Sequence, residues 1–187
     1  SLSDLNPRAV LLIDDVKPAF PPGLKLGKIS LRTGDGSAAF FQADGMTVKP
    51  EYLSLLKDRK ILLVTANFYG GTMKGRIGGD RLLSLPDPLT AGVELDGMDI
   101  ERSGYLKKRL DRQVTGKLKG TLNFSGSMKD IPGGSGVMEF TLHNGTYPLR
   151  ESLMGIDRLD FRRVDAQLAL KNGVLTVSRL KLAGDRI

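Results

Sequence analysis

Residues able to carry reaction chemistry are few in this chain and poorly placed for it. His143 is the sole histidine and cysteine is absent, so thiol catalysis, disulfide staples and Cys/His zinc sites are excluded. Spacing identifies no serine-triad partner for His143, which falls on the polar side of an alternating pattern, the place of an exposed cross-strand residue. Asp14-Asp15 and the Asp157/Asp160 pair could in principle supply an acid and a base. Adjacent strand residues point to opposite faces, however, so Asp14 and Asp15 diverge unless the chain turns there, while Asp157 and Asp160 flank the entry to a strand. Gly34-Asp35-Gly36-Ser37-Ala38-Ala39 matches the loose dinucleotide-binding glycine pattern, but strand-like Phe40-Phe41-Gln42-Ala43 stands where the phosphate-binding helix should begin. A hairpin turn is the expectation there. Gly70 to Gly75 lacks the spacing of a Walker loop, and the sequons at Asn123 and Asn144 are read as chance. No catalytic residue, metal or cofactor is assigned, and the expectation is a protein that is not an enzyme.

Charge offers more. Twenty-eight lysines and arginines against 21 acids give a net charge of +7, a balance that favours anionic surfaces. The densest cluster is Lys107, Lys108, Arg109 and Arg112; on a helix, Tyr105, Lys108, Arg109 and Arg112 would share the side opposite Leu106 and Leu110. A solvated face is the ordinary reading, and contact with anionic headgroups or a partner protein is the functional one. Nucleic acid ranks below both, because base stacking needs aromatics among the basic residues, whereas the 7 Phe and 4 Tyr fall mostly at inward strand positions. A composition of 40% hydrophobic and 26% charged residues over 187 positions predicts one soluble globular domain, residues 1–187. The longest unbroken apolar run, Ala9 to Ile13, is far short of the roughly 20 residues of a transmembrane helix.

Strict alternation of residue character dominates the rest. From Val114 to Met128 the even positions are apolar or glycine and the odd ones polar, predicting a strand of unusual length with one buried face. Its partner is expected from Gly136 to Tyr147, with Met138, Phe140 and Leu142 on one face. A second hairpin is predicted from Asp160 to Leu170 and Val174 to Leu182 through Asn172-Gly173, a pair that tolerates the positive φ of a tight turn. Its apolar phase slips near Arg162-Arg163 and again near Ser178-Arg179, which marks two β-bulges and a bent sheet. Ile61 to Phe68 and Gly71 to Gly79 predict a third hairpin through Tyr69-Gly70. Shorter strands are expected at 8–16, 24–32, 39–48 and 93–100. Short helices are predicted after Pro50 (with Tyr52, Leu53, Leu55 and Leu56 on one face), after a Ser103 cap, and from Pro148 to Met154 ending at Gly155. The segment from Gly71 to Ile77 echoes that from Gly116 to Leu122, and glycines alternating with large apolar residues predict a scalloped face. The fold class is therefore mainly β, a long, curved, mostly antiparallel sheet of meandering hairpins with two or three short helices at its ends or on one face.

Phe20-Pro21-Pro22-Gly23-Leu24-Lys25-Leu26-Gly27-Lys28-Ile29-Ser30-Leu31 resembles the entry segment of AsmA-type envelope proteins. Val164 to Leu175 resembles the repeat hairpin of that group, within which the chain is most similar to the type II secretion system protein N family. That resemblance implies a periplasmic β-rich body, an inner-membrane anchor ahead of Ser1, and an accessory role in secretion alongside other secretion-system envelope proteins. The strand-like run before Ile187 likewise leads us to expect a longer parent chain. Relatives of the AsmA type are also similar to repeating β-groove proteins that carry lipid, which makes a phospholipid-binding groove the alternative. Its wall would be Leu118, Leu122, Phe124, Phe140, Leu142, Leu168 and Leu170, unless these residues pack as a closed core.

Overall fold

A computed structural model of the chain describes residues 10–32, 39–79, 88–104, 106–107, 111–127 and 130–184. Alternation becomes strand throughout. Among the described residues the strands are β1 (Val10–Ile13), β2 (Val16–Ala19), β3 (Gly23–Leu26), β4 (Ile29–Arg32), β5 (Ala39–Ala43), β6 (Gly45–Pro50), β7 (Lys60–Phe68), β8 (Gly71–Gly79) and β9 (Leu89–Asp99). They continue as β10 (Lys117–Ser127), β11 (Asp130–Leu153), β12 (Ile156–Lys171) and β13 (Val174–Gly184). Two sheets result: β1-β4-β5, and a ten-stranded sheet ordered β13-β12-β11-β10-β9-β8-β7-β6-β3-β2. Every described pairing is antiparallel. The mainly β, long antiparallel architecture expected from the alternation is the architecture found.

Three hairpins turn through two consecutive residues of positive φ: Tyr69-Gly70, Met154-Gly155 and Asn172-Gly173. That geometry matches the right-handed twist of the strands it joins. Both phase slips become bulges. Between β12 and β13 the register shifts at Arg162 and again at Ser178, each an extra residue on one strand only. A third irregularity faces Lys119, where β9 carries an additional residue beside Gly97 with φ 70°. Bulges of this kind bend a strand and increase its twist while returning the following side chains to their proper face.

Several local expectations change. Pro148 to Met154 is the end of β11 and its turn rather than a helix, because Tyr147, Pro148 and Leu153 find ladder partners in Leu159, Arg158 and Ile156. Gly155 completes that turn instead of ending a helix. β11, at 24 residues, is therefore the longest strand. β10 begins later than the alternation suggests, since Val114 to Gly116 leave the ladder and Thr115 instead bonds Thr146. The short strands 8–16, 24–32 and 39–48 are broken at Asp14, Gly27 and Asp44 as the chain crosses between the two sheets. Pro50 closes β6, and a 3-10 helix follows at Tyr52–Leu56. The helix α1 spans Ile100–Ser103, so Ser103 lies inside it; Asp99 is the cap, accepting from the Arg102 amide at 3.3 Å, and Gly104 ends it with φ 62°. The glycine pattern at 34–39 lies outside the described residues apart from Ala39, the first residue of β5.

The buried core is small and sits at one corner. Ile29 and Ala43 of the three-stranded sheet meet Phe68 at the end of β7, and Leu26, Met46, Tyr69, Met73, Leu95 and Met98 pack around them. α1 joins this corner through the Asp99 amide, which donates to the Tyr69 carbonyl at 2.9 Å. The two edges of the large sheet differ: β2 is four residues long and contains Lys17 and Pro18, whereas β13 is eleven residues long, contains no proline and is exposed along nearly its whole length. Phe68 is the ring around which both sheets are joined. Its replacement by alanine is expected to lower unfolding stability by about 3–5 kcal/mol, measurable as a reduced urea midpoint at constant slope.

Candidate functional site

Register across the ten strands collects the apolar residues into continuous rows. One row runs Val16, Leu26, Met46, Ala66, Met73, Leu95, Gly120, Phe140, Ala166, Leu180. The next runs Pro18, Leu24, Val48, Val64, Gly75, Val93, Leu122, Met138, Leu168, Val177. A third begins at Pro50 and passes Leu62, Ile77, Ala91, Phe124, Gly136 and Leu170 to Leu175. A shorter one links Met98, Leu118, Leu142, Val164 and Leu182. No polar side chain interrupts any of them. Nine inter-strand steps of about 4.8 Å make this face roughly 43 Å wide, and three rows two residues apart make it roughly 13 Å deep.

All seven residues proposed from the sequence as a groove wall lie in these rows. Leu118, Leu122, Phe124, Phe140, Leu142, Leu168 and Leu170 are each half-buried, shielded by their sheet neighbours without being enclosed. The three-stranded sheet packs on the apolar face along the row of Leu26, Met46, Met73 and Leu95, and against Met98. Over β10 to β13, no described element forms a second layer, and along β13 Leu175, Val177, Leu180 and Leu182 are exposed. The glycine notches are already filled: a side chain at Gly120 would collide with the ring of Phe140, and one at Gly134 would meet the ring of Phe124 at 2.5 Å. The face is thus smoother than alternating glycines suggest, because neighbouring aromatic rings lie across the gaps.

The opposite face is polar through its middle, while the row from Lys49 through Leu63, Arg76, Gly92, Asn123 and Val137 to Ala169 mixes polar and apolar side chains. One of its rows reads Lys17, Lys25, Thr47, Thr65, Lys74, Glu94, Thr121, Glu139, Gln167, Arg179. Cross-strand pairs knit it: Lys119 to Asp96 at 2.8 Å, Lys117 to Asp99 at 3.0 Å, and Gln167 to Glu139 at 3.0 Å. Asp165 accepts from the Thr141 hydroxyl at 2.7 Å and from the Arg163 guanidinium at 2.8 Å. The Thr141 hydrogen bond and then that of Arg163 hold the Asp165 carboxyl below its ordinary value. The Lys119 ammonium does the same for Asp96. At Asp99 partial burial pushes the carboxyl up, but the Lys117 ammonium and the Arg102 amide together bring it below the usual range. A depression of about 460 Å³ on this face is lined by Lys74, Glu94, Asp96, Lys119, Thr121 and Glu139, charges of both signs that largely satisfy one another.

The reactive residues singled out in the sequence do not converge. His143 lies half-buried in a ladder between Lys117 and Arg163. Asp15 pairs with Lys17 at 2.6 Å, and Asp160 accepts from the Thr146 hydroxyl at 2.8 Å. Among the described residues, no group of three or more His, Cys, Asp or Glu is placed to hold a metal. Of the basic cluster, Lys107 is exposed, Lys108 and Arg109 lie outside the described residues, and Arg112 is committed elsewhere, donating to the Leu149 carbonyl at 3.0 Å. Arg112 therefore ties the chain to β11 rather than lining a free cationic surface. No family model, curated protein or solved structure matches the chain.

The depressed carboxylates give the polar face a signed pH dependence. A carboxyl held below its ordinary 3.8 in the folded state stabilises the fold above that value and loses its contribution as pH falls through the folded-state value. The melting temperature is expected to drop on acidification below about pH 4, and Asp165→Asn should flatten the drop. Equal slopes for the two proteins in a pH series of thermal melts would remove Asp165 from this role.

Proposed function

We propose that the chain is a binding module that holds lipid acyl chains against its apolar sheet face, in the manner expected of an AsmA-like envelope protein. The observation that carries this reading is the set of unbroken apolar rows across ten strands, open over β10 to β13 among the described residues. Water contact along such a face is unfavourable by about 25 cal/mol per Å² of apolar area, and acyl chains relieve it without needing a polar group to match. The dimensions suit them: one leaflet of a bilayer core is about 15 Å deep, close to the depth of the three rows. Leu118, Leu122, Phe124, Phe140, Leu142, Leu168 and Leu170 would contact the chains, and nothing in the arrangement calls for turnover.

A second reading is favoured by one feature, the eleven-residue strand β13, which has no partner on its outer side among the described residues. Its outer backbone groups would accept a strand from another protein, the mode of assembly that a secretion accessory of the type II protein N kind would use with its envelope partners. Both readings belong in the periplasm.

Native mass spectrometry of protein purified without detergent, followed by lipid extraction, separates them. Lipid near one molecule per chain is expected for the wild type. The double substitution Leu122→Gln and Leu168→Gln should weaken binding of a fluorescent fatty acid at least tenfold, about 1.4 kcal/mol, with a much smaller change in melting temperature. A lipid-free wild type that also fails to bind the fatty acid would leave the β13 edge as the better account.

A further inference from the structure

The 3-10 helix at Tyr52–Leu56 is turned inside out. Its buried residue is the polar one, Ser54 at 1% exposure, while Leu53 is 75% and Leu56 89% exposed. The inversion is fixed by hydrogen bonds. Ser54 Oγ donates to the Glu51 carbonyl at 2.6 Å and accepts from the Ile61 amide at 2.9 Å, so the hydroxyl anchors the helix to the start of β7 and the leucines must face away. Phe20, 96% exposed, lies in the turn between β2 and β3, at the end of the sheet where β6 leads into this helix. The Tyr52 hydroxyl donates to the Pro22 carbonyl at 2.8 Å and holds that turn against the helix. Three large apolar side chains are thereby presented to solvent on a braced edge, an arrangement that water alone disfavours.

The charge around them identifies the partner. Residues 49–60 carry four cations, Lys49, Lys57, Arg59 and Lys60, against two acids, Glu51 and Asp58. Glu51 is engaged by Arg76 at 2.7 Å, which leaves Asp58 as the one acid of this stretch without a described ion pair. Lys60 donates to the Leu55 carbonyl at 2.9 Å and to that of Lys57, keeping its charge close to the leucines. Arg59 turns instead to the Thr90 hydroxyl, so Lys57 and Lys60 are the cations that adjoin the leucines. Projecting apolar side chains with cations next to them are what an interfacial segment uses on an anionic bilayer, the apolar groups entering the acyl boundary and the cations meeting the headgroups.

We propose that the Phe20 turn and the Tyr52–Leu56 helix form a membrane-docking edge that seats Phe20, Leu53 and Leu56 in an anionic phospholipid surface. The edge lies at the strand ends where the row from Pro50 to Leu175 runs, so docking there brings the bilayer to the rim of the apolar face. The proposal does not depend on what that face holds. It is tested by co-sedimentation of the full chain with vesicles of phosphatidylglycerol and phosphatidylcholine, beside vesicles of phosphatidylcholine alone. Binding to the anionic vesicles, weakened by salt, is expected. The triple variant Phe20→Ser, Leu53→Ser and Leu56→Ser should lose at least tenfold in partitioning while melting no lower than the wild type. Met154→Ser, which removes an equally exposed apolar side chain at the β11–β12 turn, should partition as the wild type does. Wild type and triple variant sedimenting alike would overturn the proposal. So would a wild-type dimer in gel filtration that the triple variant dissociates without any vesicle binding, which would assign the edge to a second copy of the chain.

Discussion

The structure depends on keeping one phase across ten strands. A strand places successive side chains on opposite faces, so a slip of a single residue would carry every following leucine to the polar side. Ladder hydrogen bonds are indifferent to such a slip; the segregation of apolar from polar side chains is not. Bulges at Arg162 and Ser178 reconcile the two demands. Each absorbs one residue that the alternation cannot accommodate and returns Leu168, Leu170, Leu180 and Leu182 to the rows shared with β10 and β11.

From that constraint follows an unusual distribution of burial. Most domains of this size hide their apolar residues between two layers. Here the one cluster of buried residues lies at the corner around Phe68, Ile29 and Ala43, single buried residues such as Val114 and Phe161 stand elsewhere, and much of the apolar face is shielded only by its own neighbours. Aromatic rings laid across glycine gaps help, since Phe140 over Gly120 and Phe124 beside Gly134 fill the notches without a second layer. The polar face contributes orientation through cross-strand pairs such as Lys119 with Asp96, whose exposure to water limits what each adds to stability.

Much of this was legible because its signals are local. Alternation marks strands over two residues, Asn172-Gly173 marks a primed turn over two, and a phase slip marks a bulge wherever it occurs. All seven wall residues could be placed on one face for the same reason. What escaped depends on distant partners. Met154 is no turn former by type; its turn exists because Leu153 and Ile156 pair across it. The spacing of Tyr52, Leu53, Leu55 and Leu56 suggests a helix packing inward, and only the bonds of Ser54 to Glu51 and Ile61 reveal that it packs the other way. Arg112 belongs to a cationic cluster in sequence and to β11 in space. The pairing of β1, β4 and β5 into their own sheet rests on strands of four and five residues, too short for alternation to specify where they go.

The unlike edges of the large sheet give the molecule a direction. At β2, a proline within four residues removes a backbone donor, and a lysine discourages a neighbour. At β13, eleven exposed residues carry the apolar rows to the last described strand, and its ladder is interrupted by the bulge at Ser178 and flanked by Arg179 and Lys181. Among the described residues the two edges are therefore protected differently, one by brevity and a proline, the other by a bulge and charge.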